Sequence, residues 1–282
     1  MKRLFSLILC MLMLSGLAVS AFAEGGVADA SQMTTVEEVV EPGMTPVYAA
    51  DLVDGDYPVA FKCSSSMFRI DGALLKVHDG HMEVTLTMGS KTFLHVYPGS
   101  AVEAAAKDAW IEPAEDKNGA MTFTIPVEAL DAAVPCAAYS KNKELWYDRS
   151  LLFRADSLPV SAFRDGFFTT AGSLKLEDGR YMVAVTLSGG SGRAKVQSPT
   201  ALYVEDGACT AVIGWSSKNY DYMKVEGEKY LPVPGEDKSA FQIPVLYFDR
   251  PMPVIADTVA MSEPHEISYT LLFDSSSLEA AQ

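Results

Sequence analysis

Asp54-Gly55-Asp56-Tyr57-Pro58-Val59 recurs later in the chain as Asp178-Gly179-Arg180-Tyr181-Met182-Val183, and this near-repetition sets the architecture. Three more pairs follow in the same order. Leu75-Lys76-Val77-His78-Asp79-Gly80 returns as Leu202-Tyr203-Val204-Glu205-Asp206-Gly207. Phe123-Thr124-Ile125-Pro126-Val127 returns as Phe241-Gln242-Ile243-Pro244-Val245, and Leu151-Leu152-Phe153 as Leu271-Leu272-Phe273. Four anchors at a common offset of roughly 120 residues mark two related modules in one chain. Specific function is expected where the copies differ.

The anchors carry the alternation of half-buried strands. Met82, Val84, Leu86 and Met88 alternate with Glu83, Thr85 and Thr87, and Cys209, Ala211, Ile213 and Trp215 hold the matching phase. Each run follows an Asp-Gly pair, the mark of a tight hairpin turn. Tyr57-Val59-Phe61 and Tyr181-Val183-Val185 alternate likewise, and Pro126 and Pro244 confine their strands to short or edge positions. The fold class expected is all-β, with one antiparallel sandwich per module. Ala101 to Ala109 departs from this as a strong helix former capped by Ser100, with no counterpart in the second copy.

Lys2 and Arg3 precede an apolar run that ends in Ala21-Phe22-Ala23, so residues 1–23 read as a secretory signal peptide. Residues 24–45 are polar and acidic, a flexible leader by composition. The modules then span 46–154 and 174–275, joined by a linker at 155–173 and followed by a tail at 276–282. Phe163, Phe167 and Phe168 in the linker call for packing against a module or the junction. No transmembrane anchor is expected after signal cleavage, and the product is expected to be secreted. The net charge of −15 excludes nucleic acid and anionic membrane as natural partners. Secretion permits a disulfide, and Cys63 with Cys136 is the one pairing within a module.

No nucleophile elbow, zinc-protease motif, phosphate loop or Cys-x-x-Cys occurs, so a non-enzymatic protein is expected. Polar clusters fall at strand ends instead. Ser64-Ser65-Ser66-Met67-Phe68 sets hydroxyls beside large apolar groups, and Lys141 and Lys143 precede Trp146 and Tyr147. Adjacent strand residues face opposite sides, so one of Trp146 and Tyr147 fills the core and the other faces outward. Such a site suits a planar apolar ligand bearing carboxylates. In the second module the counterparts are Trp215, Tyr220 and Tyr222, with both tyrosines read on one side of their strand, and the Met261 to His265 loop.

Taken together, the anchors resemble the NEAT family, immunoglobulin-like haem-binding modules of Gram-positive surface proteins. The likeness covers about 50–154 and 176–274, and the first module is also similar to the streptococcal surface haem protein. The resemblance implies two tandem immunoglobulin-like (NEAT-like) sandwiches that bind haem for iron acquisition. It also implies that the ligand passes to a surface receptor or a component of an ABC transporter. Ser64-Ser65-Ser66-Met67 matches the family's serine-bearing lip. Of the family's Tyr-x-x-x-Tyr pair, Tyr147 holds the second place and Lys143 the first, whereas Ile267 and Glu263 stand there in the second module. The resemblance therefore turns to Met67, Met261 or His265 as candidates for the iron ligand, with Lys141 and Lys143 toward the propionates. The competing expectation is adhesion, a tandem module recognising protein or glycan through Trp215, Tyr220 and Tyr222.

Overall fold

A computed structural model describes residues 26–33, 36–107, 109–234, 237–260 and 265–281. The expected signal peptide and Met261 lie outside them. The described residues are mostly strand. In the first half the principal strands are β1 (Gly55–Pro58), β2 (Phe61–Cys63), β3 (Ile70–His78), β4 (His81–Met88), β5 (Phe93–Tyr97), β6 (Met121–Val127), β7 (Val134–Ser140) and β8 (Leu145–Phe153). They form two sheets, β1-β3-β4-β6 and β2-β8-β7-β5, each widened by a short strand. One core lies between them, built from Leu75, Val84, Leu86, Phe123 and Ile125 on one side and Cys136, Leu151 and Phe153 on the other.

The second half contains β9 (Gly179–Gly189), β10 (Thr200–Glu205), β11 (Ala208–Gly214), β12 (Tyr220–Val225), β13 (Ala240–Pro244), β14 (Met252–Thr258) and β15 (His265–Ala280). Their order, β12-β14-β15-β9-β10-β11-β13, repeats the first half with β9 in place of β1 and β2 together. Because β9 runs unbroken through both layers, all its neighbours join one continuous, nearly closed antiparallel sheet. Pro58 stands where Met182 does, and without an N–H it cannot take a strand partner on both sides as Met182 does with Ala201 and Glu279.

Small details are duplicated too. Asp79-Gly80 and Asp206-Gly207 both take positive φ at both turn residues, so each pair closes its hairpin as the sequence requires. The Tyr57 hydroxyl donates to Val53 O at 3.0 Å and the Tyr181 hydroxyl to Glu177 O at 2.9 Å. Asp131 and Asp249, both left-handed, donate their N–H groups to Phe153 O and Phe273 O. Their carboxylates accept from Ala155 N–H at 3.0 Å and Ser275 N–H at 2.8 Å.

The helix forms as expected but shorter: α1 is Ala101–Ala106, its start fixed by a reciprocal box between Ser100 and Glu103. The leader differs from expectation. Gly26–Val27 pairs in parallel with Leu145–Trp146, and Ala28 and Val39 are buried, so its described residues are docked rather than flexible. The expected tail differs as well: β15 carries strand through Ala280, pairing Glu279 with Met182 and Ala280 with Tyr181. The linker packs as its aromatics require. Phe163 joins the first core, and Phe168 touches both cores while stacking on Tyr247 at 4.1 Å between centroids.

Cys63 and Cys136 are free thiols, so the disulfide that secretion would permit between them is not formed. Cys63 on β2 lies opposite Leu151 of β8, and Cys136 on β7 lies opposite Arg149 of the same strand. With β8 between them, the two backbones are two strand spacings apart, about 9.6 Å. A disulfide tolerates a Cα separation of at most about 7 Å.

Candidate functional site

β8 determines what each face of the first half presents. Leu151 and Phe153 point into the core between the sheets, and Arg149 and Tyr147 continue that phase toward the open end. Trp146 points the other way. It is 1% exposed, yet outside the main core, in a second cluster with Ala101, Ala104, Ala137 and Tyr139 beneath α1. His95, Trp110 and Tyr97 complete this cluster, with the His95 and Trp110 rings 5.0 Å apart. Trp146 thus faces outward from the main core, as the alternation requires, but the helix and docked leader cover that side.

The serine-methionine lip follows β2 at one end of the first half. β2 ends at Cys63, and Ser64 trades bonds with Ser150, its N–H donating to Ser150 O at 2.9 Å and its Oγ accepting from Ser150 N–H at 2.8 Å. That register carries Ser65, Ser66 and Met67 toward the end of β8 that joins the β7–β8 turn. The turn closes when Phe68 N–H donates to Ser65 O, and Phe68, 1% exposed, anchors it edge-on against Phe93. Met67 is left 78% exposed. Lys141 and Lys143 lie exposed on the β7–β8 turn, and Tyr147 is half-buried below it. The structure therefore brings the lip, the lysine turn and Tyr147 to the same end.

Arg149 is the residue the sequence argument passed over. It is 5% exposed, with its guanidinium 5.0 Å from the Tyr147 ring centroid and Nη1 donating to Asp148 O at 2.6 Å. Its Nε has no hydrogen-bond partner among the described residues. Desolvation pulls its pKa below the usual arginine value, while burial pushes the Cys136 thiol up to about 12 and the Cys63 thiol up as well. Both cysteines are therefore neutral, and neither supplies a counter-charge. The clue in the sequence was a charged residue on the apolar phase of Leu151 and Phe153.

The second half disperses its candidates. Trp215 is 2% exposed, its ring tilted against Tyr220 with centroids 4.0 Å apart, and it donates its Nε1–H to Met223 Sδ at 3.3 Å. The Tyr220 and Tyr269 hydroxyls meet at 3.1 Å, and burial together with that bond raises the Tyr220 pKa. A bulge between Tyr220 and Tyr222 puts Tyr220 opposite Thr258 and Tyr222 opposite Asp257. The two tyrosines thus take opposite faces, correcting the expectation that they share one. Tyr222 donates to Glu266 at 2.7 Å on the outer face, which raises its pKa to about 12. His265 pairs across from Thr258, exposed at the end where Tyr220 lies. Trp215, Tyr220 and Tyr222 do not make one exposed aromatic platform.

A cleft of about 1010 Å³ runs between the halves, lined by Arg154, Asp156, Phe168, Glu226, Tyr247 and Arg250 among others. Its charges are largely spoken for: Arg154 Nε and Nη2 both bond Asp156, and Glu226 accepts from Val160 N–H. No protein-family model matches this chain, and no curated protein matches it.

Proposed function

We propose that the chain is a secreted, non-catalytic binding protein of two tandem immunoglobulin-like modules similar to the NEAT family. Its first module takes haem, or another planar apolar ligand with carboxylates, and passes it to a surface receptor or transporter component. The observation that carries this proposal is Met67, whose side chain is held 78% exposed by a turn anchored on buried Phe68. A large apolar side chain in that position gains nothing from folding, whereas an exposed thioether is available as a soft axial ligand for iron. Tyr147 supplies an aromatic face, and Lys141 and Lys143 are free to swing toward carboxylates.

The second module is the weaker binder on the same grounds. The Tyr220 hydroxyl is engaged by Tyr269 and the Tyr222 hydroxyl by Glu266, so both phenols that could face a ligand already have partners. Titrating haemin into the purified protein tests the proposal: a Soret shift at micromolar concentration is expected, and Met67→Ala removes it. No shift, or the same shift in the variant, refutes haem ligation by Met67.

A further inference from the structure

Arg149 is a buried cation without a buried anion. Among the described residues no carboxylate lies within ion-pair distance of it. Asp148, its chain neighbour, faces the other side of the sheet, where its carboxylate accepts from Ala101 N–H at the start of α1. The backbone bond to Asp148 O and the Tyr147 ring offset only part of what a guanidinium loses on leaving water, because Nε has no partner. Buried charges are ordinarily paired, and an unpaired one calls for an explanation.

The internal duplicate shows that the scaffold does not require this charge. Leu271 corresponds to Leu151, being paired with Met252 and Leu187 as Leu151 is with Val134 and Cys63. Two residues earlier, Tyr269 occupies the position of Arg149, opposite Val254 where the first half has Cys136. Tyr269 is 4% exposed and satisfied by Tyr220. One copy therefore fills the position with a paired phenol, and the other places a guanidinium there, at the end toward which the turn of Ser65, Ser66 and Met67 lies.

We infer that Arg149 is an anion receptor at this end of the first half, accepting a carboxylate or a small oxyanion beside Tyr147. This rests on the proposed binding of a ligand at that end, and it gives the ligand an acidic group that must reach the sheet interior. A fork of N–H donors suits a planar carboxylate. The surface lysines Lys141 and Lys143 act farther out and do not satisfy the buried Nε.

The test compares wild type with Arg149→Met and Arg149→Lys, using succinate, inorganic phosphate, haemin and haemin dimethyl ester as probes. Millimolar succinate or phosphate is expected to raise the melting temperature of wild type by about 2–4 °C and that of Arg149→Met not at all. Arg149→Met alone is expected to melt no lower than anion-free wild type, since a flexible apolar chain replaces an unpaired buried charge. Haemin is expected to bind Arg149→Met about tenfold more weakly, and the dimethyl ester to bind both proteins alike. Arg149→Lys, should the Met variant not fold, keeps the charge and retains part of the anion response. If haemin fails to bind wild type while succinate still gives an Arg149-dependent shift, haem is the wrong ligand and the receptor stands. Equal anion shifts in all three proteins, or none in wild type, overturn the inference.

Discussion

The two halves share a strand order, an Asp-Gly hairpin turn, a tyrosine-to-backbone lock and an aspartate corner, yet they differ on both faces of the final strand. Trp146, Tyr139 and His95 of the first half correspond to Glu266, Asp257 and Tyr222 of the second. The aromatic version is roofed by α1 and the docked leader. The charged version is left open, with Glu266 bonded to Tyr222 and Lys224. On the inner phase, Cys63, Cys136 and Arg149 correspond to Leu187, Val254 and Tyr269. The lesson is that the hydrophobic core and corner contacts define the scaffold, while the faces of one strand are where the copies have diverged.

The largest expected effect tests what the halves have in common. Phe153→Ala and Phe273→Ala each remove a fully buried ring at the same place in the fold, and each is expected to cost about 3–5 kcal/mol in urea unfolding. A clear inequality would break the structural equivalence. The next tests where they part. Trp146→Ala is expected to cost a similar amount, about 3–5 kcal/mol, because it empties the space beneath α1. The equivalent change, Glu266→Ala, is expected to leave the urea midpoint nearly unmoved, since its bonds lie at the surface.

A smaller effect concerns the aspartate corner. Burial pushes the Asp131 carboxyl above its ordinary value, outweighing the Ala155 N–H bond that would lower it. The folded chain then holds this proton more tightly than the unfolded chain. The contribution is fully present below the unfolded value of about 3.9 and is lost as pH rises through the folded value. Asp131→Asn, a residue that tolerates the left-handed backbone, is expected to flatten melting temperature against pH across that window. An unchanged slope would show that the corner carboxyl does not titrate with folding. The smallest loss expected in the first half concerns the helix that it alone owns: Ser100→Ala loses the reciprocal box with Glu103 and is expected to cost about 1 kcal/mol.

Much of the scaffold was legible in the sequence because it depends on side-chain alternation and turn chemistry. The Asp-Gly pairs, the phase of Met82 to Met88 and the cap at Ser100 each carry a local signature. The departures arise where that signature is absent. Gly26–Val27 joins β8 through main-chain hydrogen bonds, which leave little mark on composition. The bulge at Tyr220 defeats period-2 counting, because one inserted residue exchanges the faces of everything beyond it. The thiol pairing failed for a three-dimensional reason, the intervening β8. Part of the candidate site was readable as a serine-methionine lip and a lysine turn. Arg149 was readable in principle, as a charge on an apolar phase.

The most direct test is a haemin titration run in parallel on wild type, Met67→Ala and Tyr220→Phe. The first half is expected to hold a single haemin, so wild type and Tyr220→Phe develop the same Soret shift while Met67→Ala does not. A silent wild type, or a shift that survives Met67→Ala and vanishes in Tyr220→Phe, would contradict the division of labour between the halves.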